Sequence, residues 1–376
     1  MICKLQELIQ IKNGKDYRDL QQGTIPVYGS GGVITYIDKY LYDGESVLLP
    51  RKGTLDNIMY VNKKFWTVDT MYWTIINQEK VLPKYLYYYL SLLNLSSRDS
   101  GSTLPSMTFD SYYSLDIKIP PIELQQKVVD VITPINEKIT INKKINDNLQ
   151  QQLKLMYDYW FTQFDFPDEN GKPYKSSGGK MKWNSELQRY IPEGWTSVSL
   201  GEILKKNRSA FDYKSEQPTI DLSVMPSSSI ALNQLNSSIM FSSNLFNMRE
   251  GDILFGSIRP YLKKSGIAPC DGVFAGTIHS YSVKNTSDYN FALFTLCRDA
   301  FFDYAVKVST GTKMPVISND NILSFKVPYS ESVVAKFNNI KVKKNICKNV
   351  QESQKLVKLR DLLLPMLMNG QATITD

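Results

Sequence analysis

The chain of 376 residues has an ordinary globular composition, with 42% hydrophobic and 22% charged residues, so disorder is not the default expectation. It has no apolar run of about 18 residues and no signal peptide, which excludes a membrane protein and a secreted protein and predicts a cytoplasmic one. The net charge of +7 is a mild basic bias that is compatible with a nucleic-acid partner.

Residues 1–118 are predicted to form a first globular unit of mixed α and β structure. Residues 25–34 have the pattern of a strand, a Gly-rich turn and a second strand. Residues 47–49 and 70–76 are apolar enough for buried strands, and residues 84–95 have the length and apolar faces of a helix.

Residues 119–165 are predicted to form a long helix that begins after Pro120 and Pro121. Its apolar positions alternate in steps of four and three, which is the heptad seam of a coiled coil. Pro134 is expected to kink this helix or to mark a joint. Asn142 and Asn146 put amides into the seam, where they would fix the register at a cost in stability, or would lie solvated in a loosely packed stretch.

A turn-rich, polar linker is predicted over residues 166–194, followed by a second mixed unit over residues 195–328. Residues 329–376 are predicted to contain a second long helix, over about 331–369, that ends at Asn369 and Gly370.

The second half of the chain repeats the order of the first at an offset of about 200 residues. The acidic turn and apolar strand at 43–49 recur at 250–255, and Asn142 and Asn146 recur in the second helix as Asn345 and Asn349. We therefore predict an α+β fold with two similar mixed α/β domains, each followed by a long helix, and an antiparallel coiled coil of the two helices with pseudo-twofold symmetry. The predicted packing residues are Ile132, Ile139, Asn142, Asn146, Leu149 and Leu153 in the first helix, and Val342, Asn345, Asn349, Leu356, Leu359 and Leu363 in the second.

The sequence contains no motif that predicts an enzyme. A methyltransferase cofactor loop, a methyltransferase catalytic motif and a P-loop are all absent. The four cysteines are scattered, so neither a zinc site nor a disulfide framework is predicted. The one histidine, His279, is expected to be a structural residue of a strand. We predict no catalytic, cofactor-binding or metal-binding residue.

Basic residues lie on corresponding predicted loops of both units. Arginine can bond bidentately to guanine and lysine can neutralise phosphates, so one such loop on each unit suits a bipartite reader of double-stranded DNA. Small hydroxyl residues beside glycine would let the backbone approach phosphate. A solvated surface loop explains each residue equally well. The candidate DNA contacts are Tyr28, Ser30, Arg51, Lys52, Lys63, Lys64, Ser102 and Thr103 in the first unit, and Arg259, Tyr261, Lys263, Lys264, Thr312 and Lys313 in the second.

The half-repeat and the ends of the two helices, at Leu153 to Phe161 and at Leu359 to Gly370, resemble the specificity subunit of type I restriction-modification enzymes. The resemblance covers nearly the whole chain. It implies that each recognition domain reads one half of a split DNA sequence and that the helices set the spacer.

The resemblance also implies partners. Modification subunits would carry S-adenosylmethionine and methylate adenine, and restriction subunits would use ATP and magnesium for translocation and cleavage. Two alternatives stay open: the recognition subunit of a related two-chain enzyme that both cuts and methylates DNA, and a duplicated-domain structural or interaction protein.

Overall fold

A computed structural model describes residues 2–95, 106–213, 215–242 and 244–372. The chain divides into two compact units. Unit 1 comprises Met1–Glu137 with Val357–Asp376, and unit 2 comprises Lys138–Leu356. The two long helices therefore do not form a domain of their own, because residues of both helices belong to both units.

Unit 1 combines short strands with helical segments, as the sequence predicts for a mixed unit. Its strands are β1 (Ile2–Lys4), β2 (Ile9–Lys12), β3 (Gln22–Gly29), β4 (Gly32–Ile37), β5 (Glu45–Pro50), β6 (Met59–Asn62), β7 (Trp66–Thr67), β8 (Met71–Ile76) and β9 (Asp116–Lys118). Its helices are α1 (Pro83–Ser91), α2 (Phe109–Tyr113), the first part of α3 (Ile122–Tyr157) and the last part of α9 (Val342–Asn369). The sheets have the orders β1-β9, β2-β8-β5-β6 and β4-β3-β7.

Unit 2 has more strands and adds helices after its central sheet. Its strands are β10 (Met181–Asn184), β11 (Arg189–Pro192), β12 (Thr196–Ser199), β13 (Leu204–Asn207), β14 (Ser209–Ala210), β15 (Pro218–Ile220), β16 (Asn236–Ser237), β17 (Leu245–Met248), β18 (Ile253–Gly256), β19 (Ser265–Ile267), β20 (Gly272–Ala275), β21 (Ile278–Val283) and β22 (Lys326–Tyr329). Its helices are the last part of α3, α4 (Leu200–Ile203), α5 (Tyr289–Cys297), α6 (Asp299–Val308), α7 (Asn319–Leu323), α8 (Glu331–Phe337) and the first part of α9. The sheets have the orders β10-β11, β12-β22, β13-β21-β18-β19 and β14-β17-β20-β15-β16.

The central strand of each unit separates two hydrophobic cores. In β5, Val47 and Leu49 face the larger core of unit 1, whereas Leu48 faces a smaller one. In β18, Ile253 likewise faces the larger core of unit 2 and Leu254 a smaller one. Successive side chains of a strand point to opposite faces, so a strand covered on both sides needs a continuous apolar run, which is what both segments have.

Backbone contacts confirm that the two units are copies of one fold. The sheet order β2-β8-β5-β6 of unit 1 matches β13-β21-β18-β19 of unit 2, and the pair β1-β9 matches β12-β22. In unit 1 the amide of Leu5 bonds the carbonyl of Leu115 at 2.9 Å, and in unit 2 the amide of Leu200 bonds the carbonyl of Phe325 at 2.9 Å. Lys4 and Ser199 open equivalent short helices, because each backbone amide bonds a glutamate three residues later at 2.8 Å.

The structure corrects two predicted segments. The predicted linker contains the hairpin β10-β11, and its Phe166 is buried against the main core of unit 2, because aromatic side chains stack there. The helix predicted over 331–369 is divided into α8 and α9 by a turn at 338–341. The first long helix continues from α3 into a short π-helical segment, Asp158–Thr162, and Pro134 lies inside α3.

None of the helices in the described residues is both long enough and apolar enough to span a membrane.

Candidate nucleic-acid interface

The loop that follows β5 in unit 1 lies beside the tip of the β3-β4 hairpin. The side-chain amide of Asn57 donates a hydrogen bond of 2.7 Å to the carbonyl of Ser30. Gly53 has φ +89°, and a Cβ added there would lie 3.1 Å from Oγ of Ser30. The backbone amide of Arg51 bonds the carbonyl of Thr70 at 2.9 Å. The structure thus brings Ser30, Arg51 and the exposed Lys52 into one loop cluster.

Two other predicted basic residues lie away from this cluster. Glu45 pairs with Asn62 in the antiparallel β5-β6 ladder, so Lys63 and Lys64 lie at the beginning of β5, whereas Arg51 follows its end. Strands rise by about 3.4 Å per residue, which separates the two ends of β5 by about 17 Å. Both lysines are exposed, and the ammonium group of Lys64 lies 4.8 Å from the centroid of the Tyr40 ring.

Tyr28 contributes to packing more than to the surface. It is partly buried within β3 and packs against the smaller core that contains Leu48. Burial, with a further contribution from Tyr36, raises the pKa of its phenol. Ser102 and Thr103, which the sequence analysis also names, lie outside the described residues.

In unit 2 the structure brings two predicted loops together. The amide of Arg259 donates a hydrogen bond of 2.7 Å to the carbonyl of Pro315. The second loop is closed at its base by paired backbone bonds of 3.0 and 2.9 Å between Thr310 and Val316. Arg259, Tyr261, Thr312 and Lys313 are all exposed. They form a cluster of one guanidinium, one ammonium, one phenol and one aliphatic hydroxyl group, the kinds of group that contact base edges and phosphates.

The structure gives Lys263 and Lys264 internal partners. The ammonium group of Lys263 lies 2.7 Å from Oδ1 of Asp299, and that of Lys264 bonds the carbonyl of Leu222. The hydrogen bond and charge of Asp299 raise the pKa of Lys263, and Lys263 and Lys154 together lower the pKa of Asp299. Both lysines therefore serve first to fix the loop, which the sequence analysis did not predict.

The two loop clusters occupy equivalent places in the repeated fold. Arg51 corresponds to Ser257, because each amide bonds the carbonyl of a threonine at 2.9 Å. Isolated bridges then match Lys52 with Ser106 in unit 1, and Ile258 with Val316 in unit 2. Gly53 therefore corresponds to Arg259, and both have a positive φ. The sequence places both loops after the same strand, but only the hydrogen bonds give the residue-by-residue equivalence.

The helix residues of unit 2 include a hydrogen-bonded cluster of amides. Asn142 and Asn146 are buried. Nδ2 of Asn349 donates to Oδ1 of Asn146 at 2.9 Å, and Nδ2 of Asn142 donates to a carboxylate oxygen of Glu352 at 2.8 Å. The hydrogen bond from Asn142 lowers the pKa of Glu352, and Lys138 lowers it to a smaller extent. Asn142 contacts Glu352, and the later residue Asn146 contacts the earlier residue Asn349. The residue numbers of the contacts therefore run in opposite directions along α3 and α9, so the two helices are antiparallel in this unit.

Two predicted packing residues are on the surface instead. Asn345 is exposed, because the buried side of α9 in unit 2 is formed by Val342, Ile346 and Val350. Leu359 is 43% exposed, whereas Leu364, five residues later in α9, is buried. The remaining predicted packing residues are buried or partly buried, namely Ile132, Ile139, Leu149, Leu153, Leu356 and Leu363.

Unit 1 has its own contact between the long helices. Leu364 and Met368 belong to the same core as Val128 and Ile132. The guanidinium of Arg360 donates to Oδ1 of Asn136 at 3.3 Å. Each unit therefore contains residues of both helices that contact one another.

Within the described ranges, no group of three or more His, Cys, Asp and Glu side chains is arranged to hold a metal ion. His279 lies in β21, where its Nε2 is 3.2 Å from the carbonyl of Ile317, and burial lowers its pKa.

Comparisons with known proteins agree with the duplicated fold. Residues 1–151 match the profile of the type I restriction modification DNA specificity domain. The chain is 24% identical over 352 residues to the type I restriction enzyme MjaIX specificity subunit of Methanocaldococcus jannaschii, covering 88% of this chain and 78% of that protein. It is 35% identical over 117 residues to the HindI specificity subunit of Haemophilus influenzae, covering 30% of this chain and 24% of that protein.

A solved structure supports the same fold. The S subunit of a type I restriction-modification system from M. genitalium superposes with a TM-score of 0.60 at 14% sequence identity. The superposition covers 100% of this chain and 96% of that one. At this identity the likeness concerns the fold.

Proposed function

The chain belongs to the family of type I restriction-modification specificity subunits, and we propose that it is the noncatalytic subunit that selects the DNA target of such a complex. Each unit reads one half of a bipartite sequence in double-stranded DNA. The long helices set the gap between the half-sites.

The observation that carries this proposal is the presence of equivalent loop clusters in two copies of one fold. Each cluster follows the central strand of its unit and carries an arginine, Arg51 in unit 1 and Arg259 in unit 2. Lysine and hydroxyl side chains accompany both arginines. Arginine and lysine supply the phosphate contacts that give affinity, and arginine also supplies base contacts that give specificity. Two such clusters suit two half-sites.

The chemistry of the complex would be performed by partners. Modification subunits would bind S-adenosylmethionine and methylate adenine in each half-site, and they would dock on the long helices. Restriction subunits would use ATP and magnesium to translocate and cleave unmethylated DNA. This division of work needs no catalytic group in the chain, whose contribution is recognition.

Mapping of N6-methyladenine tests this proposal directly. The full chain is produced together with its modification subunits in a host that lacks other adenine methyltransferases, and modified positions are mapped across the genome. We expect methylation within one split sequence that has a constant gap. Cells that produce the modification subunits alone are the control and should lack that methylation.

Methylation that is independent of the chain, or a complex that binds every duplex equally, would contradict the proposal. A binding series in increasing salt provides a second measurement. Phosphate contacts release counterions, so affinity for the target should fall steeply as salt rises.

A further inference from the structure

Arg259 combines an unfavourable backbone conformation with an exposed side chain. Its φ is 50° and its ψ is 61°, in the left-handed region. A residue with a Cβ is disfavoured there, because the Cβ approaches the following carbonyl oxygen. A conformation of this kind persists only when the surrounding structure holds it in place.

Unit 1 shows that the fold does not need an arginine at this place. Gly53 is the equivalent residue, and glycine adopts a positive φ without a steric cost. The turn itself is therefore satisfied by glycine. The turn therefore does not require the side chain of Arg259, which is exposed.

The backbone around Arg259 is fixed from several sides. Its amide bonds the carbonyl of Pro315 at 2.7 Å, and its carbonyl accepts a bond of 2.9 Å from the amide of Leu262. Pro260, which follows it, is buried and has a fixed φ. Lys263 closes the turn through its ion pair with Asp299, which in turn pairs with Lys154 of α3 at 3.0 Å. These contacts hold the backbone of Arg259 in a fixed position.

The guanidinium itself is not used inside unit 2. Among the residues that the structure describes in this unit, the side chain of Arg259 has no hydrogen-bonding or ion-pair partner, in contrast to Lys263 and Lys264. It is therefore available to a ligand together with the neighbouring Tyr261, which is 50% exposed, and with Lys313.

We propose that Arg259 determines specificity by donating two hydrogen bonds to O6 and N7 of one guanine in the major groove of the half-site that unit 2 reads. This inference rests on the proposed function and adds a residue and a base to it. The planar guanidinium matches the two acceptors of guanine, which a lysine cannot do in the same geometry. A phosphate contact tolerates a flexible side chain such as that of lysine, whereas reading a base edge needs a fixed position.

The test uses the full chain assembled with its modification subunits, and compares the native protein with Arg259→Lys and Arg259→Gly. Binding is measured on a duplex that carries the methylated target and on an unrelated duplex of equal length. Each guanine of the half-site is then replaced in turn by 7-deazaguanine, which lacks the N7 acceptor. Lys313→Ala is the matched control, because that side chain is exposed in the same cluster.

We expect Arg259→Lys to weaken binding to the target about 10- to 100-fold while binding to the unrelated duplex stays close to native. One 7-deazaguanine position should weaken the native complex about tenfold and have no further effect on Arg259→Gly. Lys313→Ala should weaken both duplexes similarly and reduce the dependence on salt.

Equal losses on both duplexes for Arg259→Lys would assign Arg259 to a phosphate and overturn the inference. Native affinity in both Arg259 variants, or a half-site without guanine, would overturn it too. In each of these cases a native complex that still prefers its split target leaves the proposed function standing. A native complex without any preference would reject the proposed function itself. Thermal unfolding of each variant distinguishes loss of binding from loss of folding.

Discussion

The side-chain amide of Asn349 donates a hydrogen bond of 2.9 Å to Oδ1 of Asn146, and the two residues are 203 positions apart in the chain. The sequence repeat relates these same two asparagines to each other. Equivalent residues of the two helices therefore meet, which is what a local twofold arrangement of two antiparallel helices produces. A polar pair at such a point specifies the register at a cost in stability.

The amide pair gives a prediction for the stability of the helix contact. Asn349→Leu should lower the free energy of unfolding by about 1–3 kcal/mol, because Oδ1 of Asn146 loses its donor while buried. The double variant Asn146→Leu with Asn349→Leu should recover this loss and exceed the native stability by about 1 kcal/mol. Denaturant unfolding of the native protein, both single variants and the double variant measures the coupling.

Asn345 supplies the matched control for that experiment. It is an exposed asparagine one turn before Asn349 in α9. Asn345→Leu should change the free energy of unfolding by no more than about 0.5 kcal/mol. If the effects of Asn146→Leu and Asn349→Leu on the free energy of unfolding add up in the double variant, the assigned hydrogen bond is contradicted.

A second prediction concerns the equivalent residues Arg259 and Gly53. Arg259→Gly should raise the free energy of unfolding by about 1 kcal/mol, because the left-handed backbone no longer carries a Cβ. Gly53→Ala should lower it by about 1–2 kcal/mol, because a Cβ is then forced into a positive φ and close to Oγ of Ser30. Denaturant unfolding of both variants measures these opposite changes. A loss of stability in Arg259→Gly would show that the side chain supports the fold.

The sequence predicts the units, their central strands and the two long helices, because these depend on local patterns of apolar residues. Val47 to Leu49 and Ile253 to Phe255 are continuous apolar runs, and the structure confirms them as buried strands. Because the sequence repeats, an element predicted in the first unit can be compared with its equivalent in the second unit.

Individual loop and seam residues depend on contacts that no local pattern specifies. The ion pair of Lys263 with Asp299 joins residues 36 positions apart. The buried face of α9 is a further example, since the heptad pattern favoured Asn345 whereas the structure buries Ile346 beside it. A shift of one residue turns a helix face by about 100°, which is enough to exchange a buried position for an exposed one.

A third prediction uses His279, the one histidine of the chain. Burial lowers its pKa, and the positive charges of Lys206 and Arg208 lower it further. The unfolded state therefore binds a proton first as the pH falls below about 6.5, so stability is complete above this pH and is lost progressively below it.

Urea denaturation at pH 7.5 and at pH 5.5 measures this effect. The native protein should unfold at a lower urea concentration at pH 5.5. His279→Gln keeps an amide that can donate to the carbonyl of Ile317 but cannot be protonated, so its midpoint should change less between the two pH values. An equal change in both proteins would remove His279 as the cause.

The last prediction concerns the spacer. Four residues are inserted into each long helix at the boundary between the units, after Glu137 and after Leu356, where the contacts within each unit are left intact. Four residues add about 6 Å and turn a helix by about 400°, or about 40° beyond a full turn. One base pair rises about 3.4 Å and turns by about 34°, so the insertion should lengthen the gap between the half-sites by one or two base pairs. Genome-wide mapping of N6-methyladenine measures the gap.

Both half-sites should keep their sequences, because the loop clusters are unchanged. Inserting four residues into only one helix is the control. It should abolish methylation, because Val128 and Ile132 can then no longer contact Leu364 and Met368 while Asn146 still pairs with Asn349. An unchanged gap with both insertions present would show that the helices do not set the spacing.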